Sequence, residues 1–256
     1  MKRFILAIGA LFLILSISSL AGTISPNNDD EKHLEYGDKF HYVLALCGID
    51  NDDKLFCGSA VAIHPEWVLT AAHVVHNSKH CGVNTGENSV ILIDKIIVHK
   101  DFSGDFGKAD IALCKLTKKL DLTFYPKLYN NDDELGKICS IAGYGLTGNF
   151  NTGAIKSDGK KRAGSNIIDR LEQDLLICTP SKPSENKTTL EYIICSGDSG
   201  GGLFIGNELA GINSCVMASD KIPDSTYNDE AGHTRISKFI DWIEENSGVK
   251  LTNIGE

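Results

Sequence analysis

The feature that most constrains the fold is a series of short apolar runs separated by turn-forming residues. The runs are rich in Val, Ile and Leu, and Gly, Asn, Asp or Pro residues lie between many of them. Short runs of this kind at close spacing are typical of all-β sandwiches and barrels. We therefore predict an all-β fold. Examples of these runs span residues 42–46, 55–63, 67–70, 90–93, 95–99, 111–116, 138–143, 193–195, 202–205 and 209–212.

Only the end of the chain has a helical pattern. Ile236, Ile240 and Ile243 share one apolar face at helical spacing. Ser237 can cap the first turn, and Gly248 can end the helix. The pattern predicts a single C-terminal helix.

Two segments between the apolar runs are predicted to be surface loops. Residues 145–165 are rich in Gly, Asn, Lys and Ser, and residues 179–189 are similarly polar. No internal repeat and no Pro/Gly-rich linker divides the chain of 256 residues. This length suits one domain built from two barrels, or two small domains.

The first residues have the composition of a secretory signal peptide. A basic start at residues 1–3 precedes the apolar residues 4–15, and Ser19-Leu20-Ala21 fits a small-residue cleavage site. A membrane anchor needs about 20 apolar residues, and this run is shorter. We expect cleavage after residue 21 to leave Gly22 as the first mature residue. Residues 22–39 are then a polar, loosely held arm, and residues 40–256 form the main domain.

Secretion agrees with the eight cysteines of the chain, which are Cys47, Cys57, Cys81, Cys114, Cys139, Cys178, Cys195 and Cys215. An even number in a secreted chain indicates disulfides, although eight cysteines allow 105 pairings. Cys47 and Cys57 flank a turn-like segment and can face each other across a hairpin. No Cys-x-x-Cys pair occurs, which disfavours a zinc site. Asn186-Lys187-Thr188 is a glycosylation acceptor only if the source is eukaryotic.

The net charge of the chain is −9, and no long basic run occurs. These properties exclude nucleic acid and anionic membranes as expected partners. We expect a monomer that is free of membranes after signal cleavage. Its location is then extracellular, or periplasmic if the source is bacterial.

Three separate segments supply the groups of nucleophilic serine chemistry. Residues 197–201 read Gly-Asp-Ser-Gly-Gly, residues 70–73 read Thr-Ala-Ala-His, and residues 109–113 read Ala-Asp-Ile-Ala-Leu. A serine hydroxyl needs a base, so His73 can accept the proton of Ser199 as it attacks a carbonyl. Asp110 can hold the imidazole in the correct tautomer. The backbone N–H groups of Gly197 and Ser199 can stabilise the oxyanion.

These motifs resemble those of the trypsin/chymotrypsin-like serine peptidases. The resemblance implies two six-stranded antiparallel β-barrels with the active site in the cleft between them. His73 and Asp110 would come from the first barrel and Ser199 from the second, with Asp198 beneath the oxyanion loop. The implied function is that of a secreted serine endopeptidase without a cofactor, acting on protein or peptide substrates. Further matching motifs span residues 56–59, 67–73, 142–145, 211–214 and 234–237.

The chain departs from the family pattern at its amino terminus. The family's usual Ile-Val-Gly-Gly start, whose freed amine pairs with the aspartate before the serine, is missing. Either Asp198 has another partner, or the loop forms without one, or the enzyme is weak. An unpaired buried carboxylate is costly, so a donor must reach Asp198 if it is buried.

Other departures concern the cysteines and the pocket. Cys195 and Cys215 roughly match positions that the family bridges, whereas the usual partner position of Cys139 holds an isoleucine. By the same resemblance, the substrate pocket involves Ile193, Ser214 and Val216. No aspartate stands at the pocket-floor position that Ile193 occupies, so we do not expect a preference for Lys or Arg.

Three other interpretations remain. A non-catalytic homologue could bind a partner through the same fold, although the intact set of three residues argues against it. Residues 197–201 also fit the G-x-S-x-G motif of α/β-hydrolases, but that fold needs its acid and histidine after the serine. His73, His76 and His80 lie near one helical face, but no carboxylate ligand pattern accompanies them. We therefore predict no metal site.

Overall fold

The structure is a computed structural model that describes residues 22–86, 89–156, 158–182 and 185–251. The predicted signal peptide lies outside the described residues. The helices are α1 (Asp30–Gly37), α2 (Ala72–Val75), a 3₁₀ turn (Ile236–Lys238) and α3 (Ile240–Ser247). The strands are β1 (Gly22–Ile24), β2 (Val43–Asp50), β3 (Leu55–His64), β4 (Trp67–Thr70), β5 (Ser78–Asn84), β6 (Val90–Val98), β7 (Ala112–Leu116), β8 (Lys127–Leu128), β9 (Ile138–Gly143), β10 (Thr147–Asn149), β11 (Gly153–Lys156), β12 (Arg162–Ile167), β13 (Arg170–Glu172), β14 (Leu175–Cys178), β15 (Tyr192–Ile193), β16 (Gly202–Ile205), β17 (Glu208–Ala218) and β18 (Asp229–Arg235).

The first half of the molecule is a closed six-stranded barrel. Its strands follow the order β2-β3-β4-β7-β6-β5, and every neighbouring pair is antiparallel. Val61, Leu69 and Leu113 are fully buried in its core. Closure pairs the edges of the sheet, which leaves no strand edge open for aggregation.

The second half contains an eight-stranded sheet with the path β12-β9-β16-β17-β18-β14-β13, in which the short β8 pairs with β17, and a four-stranded sheet in the order β11-β10-β1-β15. The all-β prediction with a C-terminal helix is confirmed, and the first of the two expected barrels closes. The second half has more strands than the six expected, and its hydrogen-bonded path is not a closed ring. Two of these strands are short: β8 pairs with the distant β17, and β13 pairs with the neighbouring β14.

The segment 22–39 is packed against the second half rather than loosely held, which corrects the sequence prediction. β1 lies between β10 and β15, and it pairs with both. α1 packs on β12, where the guanidinium of Arg162 donates two hydrogen bonds of 2.6 Å to the carboxylate of Asp30. The Asp29 side chain caps α1 by accepting from the backbone N–H of Glu31. In this segment, Asp29 therefore caps a helix and Asp30 forms an ion pair with Arg162. The polar composition of the segment alone does not reveal either role.

The segment 145–165 is also more regular than the predicted surface loop. It contains β10, β11 and the first part of β12. Its Asn and Gly residues form the tight turn between β10 and β11, where Asn149 accepts from the backbone N–H of Thr152 and Gly153 has a φ of +68°. Turn residues here mark a hairpin and not an unstructured loop.

The predicted C-terminal helix is confirmed as α3, which Gly248 ends in the left-handed conformation with a φ of +70°. Ser237 does not cap this helix, contrary to the prediction. It lies in the preceding 3₁₀ turn, and its hydroxyl donates to Glu134 at 3.0 Å. No helix among the described residues is long and apolar enough to cross a membrane.

One disulfide joins Cys47 and Cys57, which lie opposite each other on β2 and β3. This confirms the predicted hairpin bridge. The bridge implied between Cys195 and Cys215 is absent, since both carry free thiols. Cys215 lies on β17, while the Cys195 thiol turns away and donates to the carbonyl oxygen of Leu146.

Candidate active site

His73 and Asp110 meet at the edge of the first barrel. His73 lies on α2, directly after β4, and Asp110 lies just before β7, which pairs with β4. The imidazole Nδ1 is 2.7 Å from Oδ2 of Asp110, and the backbone N–H of His73 donates to Oδ1 at 2.9 Å. The carboxylate therefore fixes both the imidazole and the start of α2.

The second half of the molecule also holds Asp110. The hydroxyl of Ser214 on β17 donates to Oδ2 at 2.6 Å, and Thr234 on β18 donates to the backbone carbonyl at 3.0 Å. Asp110 itself is fully buried. The carboxylate of Asp110 therefore accepts hydrogen bonds from both halves of the molecule, and it lies where it can stabilise positive charge on the imidazole of His73.

Ser199 lies in a tight turn of the second half. Its carbonyl oxygen accepts from the backbone N–H of Ser59 at 2.8 Å, which joins the turn to the first barrel. Gly200 has a φ of +85°, and a Cβ there would come within 2.1 Å of Ser59 O and Thr70 Oγ1. Only glycine fits this position, which explains the glycine after the serine. Ser199 lines the same cavity as His73, and among the described contacts the two side chains share no hydrogen bond.

The turn before Ser199 presents two free backbone donors. Gly197 has a φ of +93°, and its carbonyl oxygen accepts from the hydroxyl of Ser59 at 3.0 Å. The N–H groups of Gly197 and Ser199 donate to no group within the part of the chain that the structure describes. Such a pair of unengaged N–H groups beside a nucleophile is the arrangement that stabilises an oxyanion.

Asp198 is fully buried behind this turn. Its carboxylate accepts from the backbone N–H of Gly145 at 2.8 Å and of Cys195 at 3.0 Å. The hydroxyl of Tyr192 donates to it at 3.1 Å. Burial raises the pKa of Asp198 to about 6, and these hydrogen bonds oppose that rise. Asp198 therefore has partners of its own within the chain, which is one of the possibilities that the missing family start left open.

The cavity beside Ser199 has a volume of about 490 Å³. Of the three residues expected at the substrate pocket, Ser214 and Val216 line this cavity, whereas Ile193 does not. Ile193 is fully buried in β15, where it faces Thr23 of β1 across the strand pair. The complete lining is His73, Phe106, Leu175, Ile194, Cys195, Ser196, Ser199, Ser214, Cys215, Val216, Met217 and Pro223.

The correction at Ile193 follows from strand geometry. Successive side chains of an extended segment point to opposite sides. A shift of one residue in the irregular segment before Ser199 therefore exchanges the positions of Ile193 and Ile194. Ile194 takes the position at the cavity instead. Both residues are apolar, so the expected character of this wall is unchanged.

Phe106 is a site residue that the sequence analysis missed. Its ring lies edge-on to the imidazole of His73, with the ring centroids 5.0 Å apart, although two thirds of the residue (66%) is exposed. In the sequence, the only signal at this position is a phenylalanine between Gly104 and Gly107 in a polar segment, where an apolar side chain can lie at a contact surface.

The described residues contain no group of three or more His, Cys, Asp or Glu side chains placed to hold a metal ion. Of the histidines weighed as ligands, His73 is bonded to Asp110. His76 lies one helical turn later, and its Nδ1 is 3.1 Å from the carbonyl oxygen of His73.

His73 and Ser199 line one cavity of this β-rich fold, and Asp110 is hydrogen-bonded to His73 behind it, an arrangement suited to serine hydrolysis. Comparison with known families agrees, because the family model described as Trypsin matches residues 38–243. The chain therefore belongs to the trypsin family. It is a serine endopeptidase, as the sequence predicted.

Curated relatives of known name are similar over most of their length. Kallikrein 1-related peptidase b21 of Mus musculus is 27% identical, over 75% of this chain and 80% of the relative. Brachyurin of Leptuca pugilator is 27% identical, over 77% of this chain and 90% of the relative. Duodenase-1 of Bos taurus is 28% identical, over 91% and 92% respectively.

Solved structures share the fold. HL collagenase has a TM-score of 0.66 at 21% identity, covering 82% of this chain and 95% of its own. Mouse neuropsin has a TM-score of 0.65 at 19% identity, covering 82% and 96%. At these identities the likeness establishes the chymotrypsin-like fold and no more.

Proposed function

We propose that the chain hydrolyses peptide bonds through a covalent acyl-enzyme on Ser199, with His73 as the base and Asp110 as its orienting carboxylate. His73 Nε2 takes the proton of the Ser199 hydroxyl as Oγ attacks the carbonyl carbon. The same nitrogen then protonates the departing amine, and water later releases the acyl group by the reverse proton path. The observation that carries this proposal is the hydrogen-bonded His73–Asp110 pair at the cavity that Ser199 lines.

The charge that forms on the attacked carbonyl oxygen is stabilised by the N–H groups of Gly197 and Ser199. Fixed donors of this kind need no reorganisation during the reaction. Removal of one such donor typically costs on the order of 10²–10³ in kcat. The unengaged state of both N–H groups supports this role.

The substrate preference is for an apolar side chain next to the cleaved bond and not for Lys or Arg. The cavity wall consists mainly of Leu175, Ile194, Val216 and Met217, with no Asp or Glu among its described lining residues. A cationic side chain would lose its hydration there without gaining a partner. Phe106 extends the apolar surface beyond His73.

The enzyme acts outside the cytoplasm as a monomer, without a membrane anchor after signal cleavage. The basic and apolar start of the chain, and the Cys47–Cys57 disulfide, support export. Residues 40–256 then form the peptidase domain, and Gly22 is the first mature residue.

A fluorophosphonate probe tests the proposed nucleophile. We expect labelling of Ser199 in the folded wild-type protein, and none in Ser199→Ala. Ser196→Ala is the matched control, because Ser196 lines the same cavity but has no proposed catalytic role. A wild-type protein without labelling or peptide hydrolysis supports the alternative of a non-catalytic homologue that binds a partner.

A peptide library with varied residues before the cleaved bond tests the preference. We expect kcat/KM to be highest for Leu, Phe or Met at that position. Higher kcat/KM for Lys or Arg contradicts the proposed pocket chemistry while leaving the catalytic residues intact.

A further inference from the structure

Asp198 directly precedes the proposed nucleophile, so its position determines that of the turn. Its backbone N–H donates to the carbonyl oxygen of Cys195 at 3.0 Å, and its own carbonyl oxygen accepts from Gly201 at 2.8 Å. The side-chain amide of Asn213 also donates to that carbonyl, at 3.1 Å. A displaced Asp198 would therefore move the N–H groups of Gly197 and Ser199 with it.

The carboxylate of Asp198 is held at both oxygens. Gly145 donates to Oδ1, while Cys195 N–H and the Tyr192 hydroxyl donate to Oδ2. Two of these donors are backbone N–H groups. The third is a side-chain hydroxyl, which a substitution can remove without disturbing the backbone.

Tyr192 is fully buried and closely confined. Its ring rests against Gly22, where a Cβ would lie 2.0 Å from the ring and 2.2 Å from the hydroxyl oxygen. On another side, a Cβ at Gly164 would lie 2.2 Å from the Cβ of Tyr192. Its backbone carbonyl accepts from Asn166 at 3.1 Å. A side chain at either Gly22 or Gly164 would therefore collide with Tyr192 in its present position.

We propose that Tyr192 is a positioning residue that holds Asp198, and through it the oxyanion-stabilising turn, with Gly22 as its brace. The donors to Asp198 among the described residues come from within residues 145–195, so on this proposal the turn forms without a free amine at residue 22. This inference rests on the proposed peptidase function. The family resemblance implies that an amino-terminal amine pairs with Asp198. On this proposal, the phenol of Tyr192 on β15 takes the place of that amine.

Electrostatics support the geometry. Asp198 is buried, and the hydrogen bond from Tyr192 favours its ionised form. Loss of the hydroxyl leaves the same buried carboxylate with one donor fewer. The protonated form then persists to higher pH, and a protonated carboxyl accepts fewer hydrogen bonds from the turn.

The first experiment compares Tyr192→Phe with wild type, using an apolar peptide substrate. We expect kcat to fall by at least about tenfold with KM changed by less than about twofold, since the oxyanion donors are displaced. The acid limb of the kcat–pH profile should also move to higher pH, which a merely structural role would not produce. Tyr129→Phe is the matched control, because the buried Tyr129 also donates to a carboxylate, that of Asp133 at 2.5 Å, but lies outside the cavity.

The second experiment varies the amino terminus. We compare a chain that begins at Gly22 with one that retains two residues before it, and we expect kcat/KM values within about twofold. Gly22→Ala should reproduce the loss seen in Tyr192→Phe, because the added methyl displaces the phenol. If Gly22→Ala fails to fold, the Tyr192→Phe and amino-terminal comparisons still test the inference.

The outcomes separate the two proposals. Wild-type labelling at Ser199 together with unchanged kcat in Tyr192→Phe overturns the role of Tyr192 alone. Activity confined to the chain with a free Gly22 amine also overturns this inference and leaves the peptidase function standing. Absence of labelling in every form of the protein refutes the peptidase function and removes this inference with it.

Discussion

Among single residues, Asp110 is held by hydrogen-bond donors from both halves of the molecule. His73 donates from the first barrel, and Ser214 donates from the second half at 2.6 Å. The sequence motifs assign Ser214 only to the substrate pocket. In the structure, the hydroxyl of Ser214 also donates to the carboxylate of Asp110, which holds His73.

Ser214→Ala should therefore lower kcat more than it raises KM. A hydrogen bond to a charged group contributes about 1.5–3 kcal/mol, and the remaining donors compensate for part of it. We expect kcat to fall roughly tenfold, which corresponds to about 1.4 kcal/mol. Steady-state kinetics with an apolar peptide substrate measures the effect.

Thr234→Val is the control for this prediction. Thr234 donates to the backbone carbonyl of Asp110 and not to its carboxylate. We expect a loss of stability with kcat nearly unchanged. Equal losses of kcat in the two variants would mean that Ser214 acts only by packing.

The residues of the proposed triad could be predicted from the sequence, whereas their supporting partners could not. Ser199 and His73 stand in distinctive local motifs, and glycine at position 200 follows from a backbone that excludes any Cβ. Tyr192 has no such signal, because a tyrosine in an apolar run is ordinarily a core residue. Its role follows from a 3.1 Å contact with Asp198 that only the folded chain creates.

At the scale of elements, the ion pair between Asp30 and Arg162 fastens α1 to β12. The Arg162 side chain is 1% exposed and that of Asp30 is 44% exposed. Asp158 makes a second, longer contact with the same guanidinium at 3.1 Å. The helix that carries Asp30 follows β1, so this pair also limits the movement of the strand that braces Tyr192.

Asp30→Asn should destabilise the folded protein. Breaking a buried ion pair costs about 3–5 kcal/mol, and the exposure of Asp30 and the second contact from Asp158 reduce this cost. We expect a decrease of about 2 kcal/mol in the free energy of unfolding. Urea denaturation of both proteins at neutral pH measures it.

Asp52→Asn provides the comparison, because Asp52 forms an exposed pair with Lys54 at 3.6 Å. We expect a change below about 0.5 kcal/mol there. If Asp30→Asn is equally mild, α1 is held by its apolar contacts and the ion pair adds nothing.

Strands at the centre of each half were predictable, and those at the edges were not. The runs that became β3, β4 and β7 are apolar because the barrel core buries them. β1 and β10 are three residues each and pair in parallel across more than a hundred residues of sequence. Their polar, turn-rich composition resembles that of a loop, so tertiary pairing decides their structure.

At the scale of the whole molecule, the proposed site lies where the two halves meet. Asp110 accepts from Ser214, and Ser59 binds Gly197 and Ser199, so each contact joins one half to the other. Neither half alone holds both the His73–Asp110 pair and the serine turn. The family resemblance implied this division of the site between the two halves, but no local pattern in the sequence indicates the contacts across it.

Two buried groups of the second half give the stability of the molecule opposing dependences on pH. His233 is fully buried, and burial lowers its pKa to about 3. Burial raises the pKa of Asp198 to about 6. An unfolded histidine titrates near 6.5 and an unfolded aspartate near 3.9.

The sign of each effect follows from which state binds more protons. Between pH 6.5 and about 3, the unfolded chain protonates His233 and the folded protein does not, so acidification destabilises the fold. Between about pH 4 and 6, the folded protein protonates Asp198 and the unfolded chain does not, so acidification there favours the fold. Between about pH 4 and 6, the destabilisation from His233 and the stabilisation from Asp198 therefore largely cancel.

His233→Gln separates these effects. The glutamine amide can still donate to Oδ1 of Asn213, which Nδ1 of His233 contacts at 2.9 Å, but it does not titrate. The variant should therefore keep the contribution of Asp198 and lose that of His233. As the pH falls below 6.5, we expect the unfolding free energy of the wild type to decrease relative to that of His233→Gln by about 1.4 kcal/mol for each pH unit.

Urea unfolding of both proteins at pH 7.5, 5.5 and 4.5 measures this difference. His76→Gln is the control, because it makes the same substitution at an exposed histidine instead of a buried one. If the wild-type and His233→Gln curves stay parallel down to pH 4.5, His233 is protonated in the folded protein. The buried imidazole must then have gained a partner for its Nε2, which has none among the described residues.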